Sequence, residues 1–192
     1  MAITKIISPV MLELNFTPFP ELTTERLLLR QLAPGDANVM FFLRSNEDVL
    51  RFLGREPAKS ISEAEEFIDK INKSVGENES ILWGIAFLPE PSTIIGTICL
   101  WNFQKEHYRG EIGYVLHPDH WRKGIMKEAI GRVVDYGFNT LKLHSMEALL
   151  SPANMASAAV LESTGFVKEG HLKESFCFRG EFGDTLIYSR LK

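Results

Sequence analysis

The chain has 192 residues, which favours one large domain that buries about 70% of its unfolded surface. Its composition is 45% hydrophobic and 24% charged, which is ordinary for a soluble globular protein. The net charge of -4 argues against a nucleic-acid binder, and no apolar run approaches the ~18 residues of a membrane span.

The cysteines and the N-terminal residues bear on the compartment. Cys99 and Cys177 lie far apart inside apolar runs and lack metal-ligand spacing, so we expect buried free thiols. The first residues, "MAITKIISPVMLELNF", lack the charged, apolar and small-residue regions of a signal peptide. We therefore expect a cytoplasmic protein in which residues 1–20 form an ordered extension.

The first half of the chain predicts one strand followed by helices. "ERLLLRQL" (Glu25–Leu32) is strand-like, and "APGDANVMFFLRS" begins a helix near Asp36. "NEDVLRFLG" and "SISEAEEFIDKINKSVGEN" predict further helices, the second with an apolar stripe and early acidic residues.

The second half alternates strands and helices. Three strand-like runs follow one another: "SILWGIAFL", "TIIGTICLWNF" and "RGEIGYVLHP". A helix is predicted from about Lys123 to Phe138, then the strand "KLHSMEALL", the short helix "NMASAAVLEST" closed by Gly165, and two final strands. This order predicts an α/β or α+β sheet with βαβ units in its second half.

Gly124 lies between two cations and the start of a helix, just after the strand-like run that ends at Leu116. The first amides of a helix lack intrahelical acceptors and carry partial positive charge, so an anion binds there readily. A glycine lets a diphosphate approach the backbone, and Arg122 and Lys123 add charge. The alternative is a tight turn with solvated cations. The Walker and Rossmann glycine motifs are absent, so a different phosphate-bearing cofactor is expected.

A second element, "SPANMASAAVLESTGF" (Ser151–Phe166), follows one strand later. The arrangement resembles the GNAT superfamily of N-acetyltransferases, and more closely its branch that acetylates ribosomal-protein N-termini. "LTTERLLLRQL", "GEIGYVLHPDHWRKGIMKEAI", "NMASAAVLESTGFVKEGHL" and "GDTLIYSRL" all fit. The family signature Gln/Arg-x-x-Gly-x-Gly/Ala keeps Gly124 here, but Trp121 stands first and Met126 last.

The resemblance implies one N-acetyltransferase domain over residues 1–192. Its fold class is α/β (α+β): a mixed, mostly antiparallel central sheet with helices on both faces and two splayed parallel strands. These strands are "GEIGYVL" and "LHSMEALL", and acetyl-CoA lies between them as co-substrate, without a metal. The implied pantetheine contacts are the backbone groups of Val115 and Leu116 and the side chain of Asn154, for which a plain helix N-cap is the alternative. The pyrophosphate contacts are the amides of Arg122, Lys123, Gly124, Ile125, Met126 and Lys127.

The catalytic groups follow from the same resemblance. Many relatives protonate the leaving thiolate with a tyrosine seven residues beyond the asparagine, but this position is Leu161 here. Ser157 matches a serine of the N-terminal-acetylating branch and is our candidate proton donor; its alternative role is close packing of the helix. Glu111 is the candidate base, with Glu147 as competitor, and a neutral amine needs no base. A backbone amide near Leu116 is the expected oxyanion donor.

The acceptor is an amine, either a protein N-terminus or a small molecule. Reference pKa values make roughly one in seven α-amines neutral at pH 7, against about one in 2,500 lysines, which favours an α-amine. A polyamine or aminoglycoside acetyltransferase remains open, as does a non-catalytic acyl-CoA-binding module. Neither nucleic acid nor membrane is an expected partner, and a homodimer is possible.

Several aromatic residues are candidates for the wall of the acceptor cleft, although strand aromatics are more often core residues. They are Trp101, Phe103, Tyr108 and Tyr114. "ESFCFRGEFGD" (Glu174–Asp184) is a candidate acceptor-side hairpin. His117 and His120 lie near each other, but no further metal-ligand set is visible.

Overall fold

The fold is built on one eight-stranded sheet with the order β1-β2-β3-β4-β5-β6-β8-β7, seen in a computed structural model that describes residues 11–192. All neighbouring strands are antiparallel except β5 and β6, which are parallel. The mixed sheet confirms the expected fold class. The strands are β1 (Leu22–Thr23), β2 (Leu27–Arg30), β3 (Ile81–Phe87), β4 (Glu90–Gln104), β5 (Arg109–Leu116), β6 (Ser145–Leu150), β7 (Val167–Phe178) and β8 (Glu181–Leu191).

Helices cover both faces of this sheet. Helices α4 and α5 pack on one face in the larger hydrophobic cluster, and α1 and α3 pack on the other. None of the helices described is long and apolar enough to cross a membrane. The helices are α1 (Ala37–Ser45), α2 (Glu47–Leu50), α3 (Ile61–Gly76), α4 (Ile125–Asp135) and α5 (Met155–Ser163).

Helix α4 differs from its predicted bounds at both ends. It begins two residues after Lys123, because Gly124 adopts a left-handed backbone conformation that the helix cannot include. After Asp135 the chain continues as one π-helical stretch, Tyr136–Thr140. The wider turn lets both Tyr136 and Phe138 remain buried in the core, which a regular α-helical period does not predict.

The described part of the expected N-terminal extension, residues 11–20, lies on the core; residues 1–10 fall outside the described part of the chain. Leu12 and Phe16 are buried, and the Phe16 amide donates to Asn78 Oδ1 at 2.7 Å. The Trp83 indole, also fully buried, donates to the Pro20 carbonyl at 2.7 Å. This segment therefore completes the larger hydrophobic cluster.

Strands β5 and β6 separate part of the way along their length. They pair only from Arg109↔Ser145 to Glu111↔Glu147, although β5 continues to Leu116 and β6 to Leu150. Beyond that point β5 stays paired with β4, and β6 stays paired with β8. A wedge therefore opens between the carboxyl ends of the two parallel strands, as expected for the splayed pair.

The two cysteines are free, but only one lies where we expected it. Burial raises the pKa of the Cys99 thiol to about 12, consistent with its place on a central strand. Cys177 is exposed, so its expected burial is wrong. The reason is topological: β7 pairs with β8 alone and lies at the edge of the sheet, beyond the core.

Candidate active site

The wedge presents backbone groups of β5 that have no partner strand. The His117 amide donates to the Ile95 carbonyl, and the β4–β5 register runs without a shift from Gly96↔Leu116 to Trp101↔Glu111. Backbone groups alternate in direction along an antiparallel strand. Leu116 therefore directs its amide into the wedge as expected, whereas Tyr114, rather than Val115, is the next residue that does so.

Trp121 occupies the first position of the glycine signature and contacts this wedge directly. Its indole Nε1 donates to the Leu116 carbonyl at 2.8 Å. Because a carbonyl oxygen has two lone pairs, Leu116 still has one for a ligand. The departure from Gln or Arg at this position thus has a structural role, since the indole ties the turn after β5 to the end of the strand.

The turn between β5 and α4 directs unpaired amides into open space. Arg122 and Gly124 both have positive φ, at 59° and 74°. The first helical hydrogen bond of α4 runs from the Glu128 amide to the Gly124 carbonyl. The amides of Ile125, Met126 and Lys127 precede it and have no intrahelical acceptor. They are three of the six amides, Arg122 to Lys127, that were expected to hold the pyrophosphate.

A polar cluster that the sequence analysis missed supports this turn from behind. Glu128 accepts from the Thr24 hydroxyl and from Arg26 through its amide and Nε, at 3.0 and 2.7 Å. Partial burial raises the Glu128 pKa, but these hydrogen bonds outweigh it and leave the pKa lowered. Arg26 Nη1 in turn donates to the Lys123 carbonyl at 3.2 Å. The cluster therefore fixes the turn on which Gly124 lies.

Two cavities meet at the wedge. One, of about 640 Å³, lies along the turn and the head of α4; the other, of about 720 Å³, lies below the open part of β5 toward α1 and α3. All but one of the expected cofactor contacts line the first cavity; the exception is Lys123. The contacts that line it are Val115, Leu116, Arg122, Gly124, Ile125, Met126, Lys127 and Asn154. The residues common to both cavities are Phe52, Leu53, Tyr114, Val115, Asn154 and Ser157.

Asn154 and Ser157 lie where the cavities join. Asn154 Oδ1 accepts from the Ser157 amide at 3.1 Å, so the helix N-cap role is present in the structure. Its side-chain NH₂ group is left to donate to a ligand, which keeps the pantetheine contact a proposal. Ser157 lines both cavities, as a proton donor between cofactor and acceptor would.

Tyr114 is the aromatic residue at this junction. Its hydroxyl donates to the Ser157 carbonyl at 3.5 Å, and burial raises its pKa to about 12. Of the other aromatic candidates, Trp101 lines the second cavity, whereas Phe103 and Tyr108 pack against the core. The sequence singled out Tyr114 only as one of four, since nothing local shows which way its ring points.

Glu111 lines the second cavity and Glu147 does not. Burial raises the pKa of Glu111, the Asn102 amide at 3.3 Å opposes this, and the Glu147 charge adds to the rise. Glu147 is instead held by an ion pair with Arg109. The structure therefore separates the two base candidates, because of the two only Glu111 lines a cavity.

The β7–β8 hairpin contacts a segment that borders the second cavity. The β7–β8 hairpin expected there touches the segment after α2: Arg179 forms an ion pair with Glu56 at 2.6 Å. A Cβ atom on Gly54 would lie 2.0 Å from Phe176 Cζ, which shows how closely the hairpin approaches. Neither hairpin residue lines a cavity, so the hairpin acts by holding this segment.

The histidines near the turn have aromatic partners. His117 stacks on Phe42 with ring centroids 4.2 Å apart, and His120 meets Phe87 edge to face. Within residues 11–192, no group of three or more His, Cys, Asp and Glu side chains is placed to hold a metal ion.

Comparison with known proteins agrees with this geometry. The family model of the acetyltransferase (GNAT) domain matches residues 26–167. The uncharacterised N-acetyltransferase YoaA of Bacillus subtilis (strain 168) is 39% identical over 174 residues, covering 91% of this chain and 98% of YoaA. The [ribosomal protein uS5]-alanine N-acetyltransferase of Escherichia coli (strain K12) is 26% identical, covering 88% and 90%.

A solved structure supports the same conclusion. The crystal structure of spermidine N-acetyltransferase from Vibrio cholerae, in complex with CoA and spermine, superposes with a TM-score of 0.76. It is 28% identical and covers 88% of this chain and 96% of that one. With the wedge, the unpaired helix amides and the matched domain model together, the chain belongs to the GNAT family of acetyl-CoA-dependent N-acetyltransferases.

Proposed function

We propose that this N-acetyltransferase transfers the acetyl group of acetyl-CoA directly to a protein N-terminal α-amine, of the kind found on ribosomal proteins. The observation that carries the proposal is the junction of the two cavities at Ser157 and Tyr114, with Glu111 on the acceptor side. The similarity to the uS5-alanine acetyltransferase supports a protein N-terminus as acceptor.

The thioester is already activated, so the chain has to position the reactants and move protons. The acetyl-CoA diphosphate lies on the amides at the head of α4, and the pantetheine arm runs between β5 and β6. The acceptor nitrogen enters from the second cavity and attacks the thioester carbonyl, whose oxygen accepts from an amide of β5 at Tyr114 or Leu116. Glu111 takes the amine proton, and Ser157 supplies a proton to the departing thiolate.

A polyamine is the second candidate acceptor, and a specific observation favours it. Glu111 and Glu79 both line the second cavity, which we call the acceptor cavity because the acceptor enters from it in this proposal. The similar solved spermidine N-acetyltransferase holds spermine. An unassisted polyamine is almost fully protonated at neutral pH, so it depends more strongly on a base than an α-amine does.

An acetylation panel separates these candidates. CoA release is measured with acetyl-CoA and equal concentrations of peptides that begin with alanine or serine, spermidine and an aminoglycoside. We expect the highest kcat/KM with a peptide whose α-amine is free, and none with the same peptide blocked at its N-terminus. A higher value for spermidine would replace the proposal with the polyamine reading, and no release with any amine would indicate a non-catalytic acyl-CoA-binding module.

The pH dependence tests Glu111 as the base. Glu111 faces Asn102 and Cys99 on β4 and Glu147 on β6, whose charge Arg109 partly balances. Because burial raises its pKa, the carboxylate forms only at a higher pH than an ordinary glutamate requires.

We therefore expect the ratio of kcat/KM between the wild type and Glu111→Gln to rise with pH through this raised pKa and then level off. The plateau should be roughly tenfold, because about one in seven α-amines is already neutral at pH 7 and reacts without a base. A ratio that is independent of pH would remove Glu111 from the mechanism.

A homodimer is also part of the proposal. Strand β7 lies at the edge of the sheet with exposed apolar side chains, and an unpaired edge can accept a second copy of itself. Light scattering should give twice the mass of the chain, and Leu172→Lys on this edge should shift the measured mass toward that of the monomer.

A cytoplasmic location is proposed on the two free thiols.

A further inference from the structure

Two arginines line the second cavity without an ion-pair partner, although the charge of Glu63 acts on Arg44 from a distance. Arg44 and Arg55 both border it, and the Nε atom of each is buried with no hydrogen-bond partner. Across residues 11–192, no carboxylate forms an ion pair with either guanidinium. A charged group taken from water without a partner is costly, so such a pair is expected where a ligand supplies the missing charge.

The two guanidinium groups are close together and held in place. Arg44 stacks over the Phe67 ring, with its Cζ 3.8 Å from the ring centroid. Burial and the nearby charge of Arg44 lower the pKa of Arg55 to about 10, so both remain protonated at neutral pH. Two neighbouring positive charges in a partly buried site favour one shared anion.

The segment that carries Arg55 is fixed from outside the cavity. The Glu56 carboxylate accepts hydrogen bonds from both Nε and Nη2 of Arg179, at 2.9 and 2.6 Å. Gly54 packs against the Phe176 ring, as its blocked Cβ position shows. The backbone on both sides of Arg55 is therefore in contact with the β7–β8 hairpin.

The same cavity also carries the buried carboxylate of Glu111. The charge of Glu111 raises the pKa of the Cys99 thiol and the charge of Arg55 lowers it, so both side chains lie near this thiol. The remaining charged lining residue, Glu79, is exposed. The lining of the cavity thus combines two positive groups, Arg44 and Arg55, with the buried carboxylate of Glu111.

We propose that the acceptor is an α-amine that also carries a carboxylate, which Arg44 and Arg55 bind while the amine lies at Glu111 beside Ser157. The inference rests on the proposed function and makes its acceptor more specific. The carboxylate belongs either to an acidic residue next to a peptide N-terminus or to a free amino acid. Guanidinium groups bind carboxylates with charge-assisted hydrogen bonds in both cases. A polyamine offers no such anion.

Matched acceptors test the preference for a carboxylate. kcat/KM is measured for peptides that begin Ala-Asp or Ala-Asn and for free alanine against alaninamide. We expect the carboxylate to raise kcat/KM at least tenfold in one pair, and that pair identifies the source of the anion. In Arg55→Gln the ratio within that pair should fall to near one, while Arg55→Lys should retain part of it.

Arg51→Gln is the matched control, because Arg51 is exposed in the same segment and lines neither cavity. It should keep the wild-type ratio. Calorimetry with acetyl-CoA shows whether each variant is folded. Because Arg55 does not line the first cavity, where the cofactor is proposed to bind, the affinity of its variants should stay unchanged. A ratio near one in both pairs for the wild type, or a preference that survives in Arg55→Gln, overturns the inference.

A binding measurement keeps this result separate from the proposed function. N-acetylaspartate and N-acetylasparaginamide are titrated into the CoA-saturated protein. The carboxylate compound should bind at least tenfold more tightly, and Arg55→Gln should abolish the difference; equal binding overturns the anion site. If this difference is present but α-amines are not acetylated, the proposed acceptor class fails while the anion site stands.

Discussion

Replacing Ser157 with alanine should lower kcat by about 100-fold, with little change in the Kd for acetyl-CoA. The hydroxyl lies on a residue that borders both cavities. In the proposed mechanism the thiolate leaves at this junction. Loss of a positioned proton donor typically costs 10²–10⁴-fold, and we expect the lower end because water can enter the space left. Steady-state kinetics give kcat, and calorimetry with CoA gives the affinity.

Ser151→Ala is the control for this experiment. Ser151 precedes the same helix, and its hydroxyl accepts only from the Ala153 amide within the loop, at 3.3 Å. It lines neither cavity, so kcat should stay near the wild-type value. A Ser157→Ala enzyme with wild-type kcat would show that the serine only packs the helix.

Tyr114→Phe then decides between two hydroxyl groups. The Tyr114 phenol lies against the Ser157 carbonyl, and its raised pKa keeps it protonated at neutral pH. If Ser157→Ala is nearly silent and Tyr114→Phe lowers kcat about 100-fold, the phenol on β5 is the donor. It would then replace the tyrosine that relatives carry at the position of Leu161, which is buried in the core here.

Replacing Gly124 with valine should raise the Kd for CoA at least tenfold. Gly124 has φ +74, a conformation that costs other residues roughly 1–2 kcal/mol. The nearest atom to an added Cβ is Arg26 Nη2, at 3.6 Å, so the protein itself has room for the Cβ atom of the new side chain. The added side chain instead meets the anion that approaches the amides of α4.

Gly131→Ala is the matched control in the same helix. An added Cβ at Gly131 meets nothing within 4 Å, and this glycine lies in the helix interior. The substitution should leave the CoA affinity unchanged and raise the unfolding free energy by up to about 1 kcal/mol. If Gly124→Val binds CoA as tightly as the wild type, the diphosphate does not lie at the head of α4.

Local sequence patterns determined the elements around the cofactor. The strand that ends at Leu116, the glycine after two cations and the apolar stripe of α4 are all set by neighbouring residues. Asn154 caps α5 and Ser157 lies three residues later within the helix, and their hydrogen bond follows from that spacing alone. The strand and helix ends around the proposed cofactor site were therefore predictable from the sequence, whereas the individual cofactor contacts came from the family resemblance and stay a prediction.

The acceptor half and the support of the turn were decided by tertiary structure. Arg26 and Glu128 are 102 residues apart, and Tyr114 and Ser157 are 43 apart. The direction of the Tyr114 backbone amide and carbonyl depends on the β4–β5 register. The exposure of Cys177 depends on β7 being an edge strand. A sequence gives local periodicity, but only the completed sheet brings Arg44, Arg55 and Glu111 into one cavity, because their proximity is produced by packing between distant segments.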